Sequence, residues 1–169
     1  MNFVGNKEIF ALQWDVDSYH APYLYGYFCF WVNNNKVGNL DEISTLTIVS
    51  SYLSDFLKNK NNRLYEGSEL MAKEDLFHLL YLGFFDGSFK GIELYYRMSE
   101  YSNMFWLDEI GEYSFRDKIG MILIDEPVKQ RQRMIWIEFG NNVVNEFFIP
   151  ANYFDDVGSQ FLDKIDSML

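Results

Sequence analysis

Ile119-Gly-Met-Ile-Leu-Ile124, Met134-Ile-Trp-Ile-Glu-Phe139 and Val143-Val-Asn-Glu-Phe-Phe-Ile149 follow one another with two polar breaks between them. Each run is short, rich in β-branched and aromatic residues and bounded by turn formers, which is the pattern of strands. Gly140-Asn-Asn142 tolerates the positive φ that a tight hairpin needs. Glu126-Pro127 and Lys129-Gln-Arg-Gln-Arg133 read as a solvated loop on the other side. An antiparallel meander over residues 119–149 follows. Met121 and Leu123 alternate with Ile122 and Ile124, so both faces of its first strand are apolar and call for cover on both sides or a place mid-sheet beneath helices.

Working outward, residues 8–16 and 23–33 read as strands joined through Pro22, with a short strand at 37–39. Gly26 marks a bulge or a close backbone approach. Cys29, between Phe28 and Phe30, reads as a small core residue with nothing nearby to make it a nucleophile. Leu46, Val49, Leu53, Phe56 and Leu57 fall at helical spacing and predict a helix over 43–58, capped by Asp41. Ser68 caps a second helix over 69–84. Phe154, Val157, Phe161 and Ile165 mark a third over 152–168, with Asp155 and Asp156 in the first turn where the helix dipole favours acids. Residues 92–96 and 104–107 read as short strands, the first alternatively as a helical turn. The fold class is α+β: an antiparallel β-sheet, the meander plus the N-terminal strands, packed with about three α-helices in one domain, residues 1–169.

The balance of 25 acidic against 14 basic residues gives a net charge of −11. That charge disfavours nucleic acid and anionic membranes and favours a basic partner. One cysteine leaves no internal disulfide and fits a reducing compartment. The N-terminus lacks a signal-peptide core, and the longest near-apolar run, 76–85, is far short of the ~20 residues needed to span a bilayer. A cytoplasmic protein is expected.

There is no Gly-rich phosphate loop, no Gly-x-Ser-x-Gly and no Cys/His cluster, so no cofactor, metal or catalytic residue is assigned. His20 and His78 are isolated. Asp108-Glu109 and Asp125-Glu126 are adjacent acids, but neighbours on a strand point to opposite faces and cannot converge on a substrate without a bend. Solvated turn acids are the expected reading.

Gly5-Asn-Lys7 before Phe10-Ala11, Tyr25-Gly-Tyr-Phe-Cys-Phe-Trp-Val-Asn33 leading to Val37-Gly-Asn39, Ile122-Leu-Ile-Asp-Glu-Pro127, Arg133-Met-Ile-Trp136, Glu146-Phe-Phe148 and Tyr153-Phe154 occur in order over nearly the whole chain. In these pieces the sequence resembles bacterial immunity proteins of polymorphic-toxin and contact-dependent growth inhibition systems, in particular the immunity protein 42 family. The resemblance implies a non-enzymatic protein that binds the C-terminal domain of a cognate toxin and neutralises it. Many such toxins are nucleases with basic substrate channels, which an acidic inhibitor suits. An adaptor or structural domain with another protein partner is the alternative, and a small carboxylate-dependent enzyme the third.

The expected contact surface is the acidic, Tyr-rich stretch of Glu93, Tyr95, Tyr96, Glu100, Tyr101, Trp106, Asp108, Glu109, Glu112 and Tyr113, since aromatic anchors ringed by charge serve tight interfaces. The rival is the polar face of the last helix, Asp155, Asp156, Asp163 and Asp166. Trp136, mid-strand between two isoleucines, is expected in the core. Trp136→Ala should then cost ~3–5 kcal/mol, read as a lowered melting temperature. An unchanged melting temperature would put the ring on the surface.

Overall fold

The computed structural model describes every residue except Arg116, and Ile92 and Glu93 by backbone alone. Four antiparallel strands open the chain, β1 (Asn2–Asn6), β2 (Phe10–His20), β3 (Tyr23–Val32) and β4 (Asn35–Val37), side by side in that order. The short β5 (Ser44–Thr45) pairs with β3 through Tyr25 and Gly26. Register slips between Val16 and Ser18, opposite Gly26. A Cβ on Gly26 would lie 2.1 Å from the Asp15 carbonyl oxygen. The bulge and the close approach expected of this glycine therefore coincide.

Three helices follow, α1 (Leu46–Lys58), α2 (Lys73–Leu80) and α3 (Ile92–Phe105), and then a 3-10 stretch, Asp108–Ser114. β6 (Ile119–Glu126), β7 (Arg131–Glu138) and β8 (Val144–Pro150) form the meander, and α4 (Tyr153–Asp166) ends the chain. The α+β class stands, with four α-helices among the described residues. The strands, however, divide between two sheets where one was expected. The open edge of β6 is already in use. Leu107 donates its N–H to the Met121 carbonyl at 2.8 Å, and Asp125 donates its own to the Arg63 carbonyl at 2.7 Å. Trp106 bridges to Ile122 between them. No further strand can pair there.

The alternation in β6 is realised on both faces. Ile119, Met121, Leu123, Met134, Trp136 and Ile149 join Phe10, Leu12, Trp14, Phe28 and Phe30 of the first sheet, with α1 and α4, in one core. Ile122, Ile124, Ile135 and Ile137 face the other way, onto α2 and Trp106, in a second. Trp136 is 6% exposed, a core residue as expected.

Helix boundaries moved for local reasons. The N-cap of α1 is Thr45, whose N–H is taken by Glu112, and not Asp41. Ser68 lies in a separate 3-10 turn, Ser68–Leu70, and Ala72 precedes α2. The second helix stops at Leu80 because Tyr81 adopts φ −140° and ψ −71°. Residues 92–105 are helical: Leu94, Met98, Tyr101 and Phe105 step by four, three and four, and pack on the second core.

The stretch read as a solvated loop is the clearest correction. Only Pro127–Lys129 make the turn, while Glu126, Gln132 and Arg133 are buried. Arg133 donates to the Ser68 and Met71 carbonyls at 2.6 and 3.1 Å and pairs with Glu146 at 2.5 Å. Arg131 pairs with Glu126 at 2.6 Å. On the opposite face Gln132 donates to Asp125 and Asp155, and its Oε1 accepts the Phe154 N–H at 2.9 Å. Arg63, fully buried, donates to Asp155 at 2.6 Å and to Asp125 at 3.3 Å. Buried charge persists here because it is paired.

Arg63→Ala should strand Asp125 and Asp155 without their cation and cost about 3–5 kcal/mol in chemical denaturation. A loss below about 1 kcal/mol, the worth of an exposed pair, would show that solvent already neutralises them.

Candidate functional site

The break after α2 turns Tyr81, Leu82 and Phe85 toward one end of the meander. Gly120 of β6 makes room, since a Cβ there would sit 2.6 Å from the Tyr81 ring. The Asp108–Ser114 stretch contacts α1, β3, β5 and β6 and kinks at Glu112, with φ 46° and ψ −128°. With Tyr52 of α1, Phe115, Asp117, Ile119 and Phe139, these residues enclose a cleft of about 710 Å³. Four carboxylates line it, Asp108, Glu109, Glu112 and Asp117, and no Lys, Arg or His does among the described residues. Neighbouring Lys118 is taken by Glu42. Three lining aromatics stay well exposed: Tyr52 at 47%, Phe85 at 58% and Phe139 at 45%.

The acids are held under tension. Burial pushes the Asp108 carboxyl up to about 7, and the charge of Glu109 adds to this, while hydrogen bonding from Tyr81 and from the Asp108 and Met121 backbone amides pulls it back. Its Oδ2 accepts that phenol O–H at 2.7 Å, whereas Oδ1 is buried with no hydrogen-bond partner. Burial, and then the Asp108 charge, push the Tyr81 phenol up in turn. Glu109 is raised by burial, and so is Glu112, against the pull of the Thr45 amide. A positive φ is uncommon for a glutamate. Glu112 is held in it while its carboxylate takes the Thr45 N–H, and strain of this kind clusters at functional sites.

The structure sorts the expected contact stretch into three. Asp108, Glu109 and Glu112 come together in the cleft, with Tyr113 exposed on the same 3-10 stretch. Asp108 and Glu109 converge, contrary to the strand argument, because they lie on a 3-10 turn. Trp106 is a core residue: its Nε1–H donates to the Leu80 carbonyl at 2.8 Å and its ring packs on Tyr81. Tyr101 is half-buried against Phe84 and Phe105. Tyr95, Tyr96 and Glu100 are exposed on α3, apart from the cleft lining. The side chain of Glu93 lies outside the described residues. On α4, Asp155 is buried against Arg63, which removes it from the polar face, while Asp156, Asp163 and Asp166 are exposed.

Sequence reasoning missed Tyr52, Tyr81, Phe85, Asp117 and Phe139. Two carried a usable signal. Phe85 directly precedes Asp86-Gly87 and Phe139 directly precedes Gly140, and an aromatic placed against a chain reversal has little room to turn inward.

Among the described residues no group of three His, Cys, Asp or Glu could hold a metal, and no helix is long and apolar enough to cross a membrane. The family model for Immunity protein 42 matches residues 1–164. The chain belongs to that family. It is a toxin-neutralising immunity protein. The crystal structure of CdiI from Burkholderia dolosa AUO158 is similar in fold, with a TM-score of 0.71 over 96% of this chain and 99% of that one, at 16% identity. No curated protein matches the chain in sequence.

The folded state binds the Asp108 proton more tightly than the unfolded chain, so this carboxyl lowers stability as pH rises from 3.8 to about 7. Measured against Asp108→Asn, the wild-type immunity protein should lose up to roughly 4 kcal/mol across that window, with the smallest gap below it. Urea denaturation at pH 4, 6 and 8 reads the difference. A gap that does not change with pH would make Asp108 an ordinary solvated acid.

Proposed function

We propose that the acidic, aromatic cleft is the surface with which this immunity protein covers its toxin, acting by contact and not by chemistry. One observation carries the reading: three exposed rings and four carboxylates converge on one concavity that no described cation lines. Exposed rings around a hollow are the anchors of tight interfaces, and unpaired acids speed encounter with a basic surface. The partner is the C-terminal domain of the cognate toxin, met in the cytoplasm by a single domain spanning residues 1–169. A nuclease, whose substrate channel is basic, suits the net charge of −11. The expected stretch thereby narrows to its C-terminal half.

The meeting of Asp108 and Glu109 in one cleft, both with raised pKa, is the observation that favours a carboxylate-dependent enzyme instead. Stoichiometry separates the two. A one-to-one inhibitor protects fully only at one copy or more per toxin, whereas an enzyme protects well below that ratio.

The probe is the toxin domain encoded beside this chain's gene, in calorimetric titration. Glu109→Lys with Asp117→Lys should weaken binding by about tenfold or more and flatten its salt dependence. Asp163→Lys with Asp166→Lys should leave both unchanged. The opposite pattern would move the contact to α4.

A further inference from the structure

We infer that a basic loop of the toxin enters the cleft and sets one cationic side chain against Asp108. The inference rests on the cleft being the toxin-binding surface. Its starting point is a comparison within the molecule. Elsewhere the fold neutralises its buried and half-buried acids with its own guanidinium groups: Arg63 serves buried Asp155 and half-buried Asp125, Arg131 serves buried Glu126, and Arg133 serves half-buried Glu146. Asp108 has no such cation among the described residues, and its Oδ1 is buried without a partner. A carboxylate left that way is costly unless a partner arrives to complete it.

The site is also built to hold that carboxylate still. Tyr81 donates to Oδ2, and its ring is clamped by stacking on Phe77 at 5.1 Å, by Trp106 at 4.7 Å and by the space that Gly120 leaves open. Asp108 lines the cleft, so an incoming donor meets a carboxylate that is already oriented. Phe85 and Phe139 stand at the same cleft, where aromatic faces favour a cation, and a guanidinium above all. Preorganised acceptors in a partly dry hollow are worth more than the same acids on an open surface.

The ionisable groups around Asp108 are Tyr81 at the end of α2, Glu109 and Glu112 on its own 3-10 stretch, and Asp117 before β6. The Glu109 charge opposes ionisation of Asp108 while the Tyr81 hydrogen bond favours it, and in the complex the entering cation takes the place of the Asp108 proton. Affinity should therefore climb as pH rises from 6 to 8.

The test compares wild type with Asp108→Asn, which keeps the shape of the side chain and an acceptor for Tyr81. The probe is again the toxin domain encoded beside the gene. At pH 8 the variant should bind about tenfold or more weakly, although its melting temperature is equal or higher, and its affinity should no longer climb between pH 6 and 8. In the wild-type complex the ¹³Cγ signal of Asp108 should report an ionised carboxylate across that range, whereas in the free protein it titrates. Unchanged affinity and pH slope in Asp108→Asn, while Phe85→Ser with Phe139→Ser weakens binding, would overturn this inference and leave the cleft as the contact surface. A weaker Asp108→Asn that keeps the wild-type pH slope would overturn it too, marking a shape effect. If neither the asparagine nor the paired serines change binding, the cleft is not the contact surface and both readings fall.

Discussion

Arg63 holds the two halves of this fold to each other. It comes from a stretch between α1 and α2 that contains only 3-10 turns, yet its side chain is fully buried. The guanidinium reaches Asp125 on β6 and Asp155 on α4, and lies 5.0 Å from the Phe56 ring. Its carbonyl accepts the Asp125 N–H. β6 belongs to the second sheet and α4 packs on the first, so one side chain spans the seam. Taking that charge out of water is expensive, and it is offset only because carboxylates on both sides are already in place. The dependence runs further. Arg133 fixes the Ser68 and Met71 carbonyls just ahead of α2, α2 delivers Tyr81, and Tyr81 holds Asp108. The cleft thus inherits its shape from ion pairs outside it.

The parts of the fold that were legible in sequence are those written in local period. β6, β7 and β8 show as short β-branched runs, and α4 shows in the three-four-four stepping of Phe154, Val157, Phe161 and Ile165. Arg131, Gln132 and Arg133 were misread because their burial depends on residues remote in the chain. Nothing near Arg133 announces Glu146 or the Ser68 carbonyl, and a charge without a visible partner defaults to solvent. The division into two sheets was hidden for the same reason: the elements that close the β6 edge, Leu107 and Arg63, are not strands. α3 was obscured by Tyr95 and Tyr96, whose β-propensity masked the helical spacing of Leu94, Met98, Tyr101 and Phe105.

The candidate site was legible in its acids and not in its walls. Asp108, Glu109 and Glu112 stood out as a run of carboxylates among aromatics. That the first two converge depends on the backbone turning as 3-10, a choice that the run of residues does not display. Trp106 looked like a surface anchor because its own stretch offers no apolar face to bury it. The face comes instead from Tyr81, Phe84 and Phe85, more than twenty residues earlier. Tyr52 and Phe139 were not singled out in sequence, and the meeting of α1 with the end of the β7 strand, just before Phe139, puts them on the rim.

The ring of acids around those exposed rims has a consequence for the free protein. Tyr52, Phe85 and Phe139 make the kind of apolar patch that invites a second copy of the same chain. Two copies meeting face to face through this cleft would bring Glu109, Glu112 and Asp117 of each against their own counterparts, like charge on like charge. The cleft is thereby adhesive toward a cationic stranger and self-avoiding toward its twin. On the proposed reading, the charges that would recognise the toxin also keep the free immunity protein from closing on a second copy of itself.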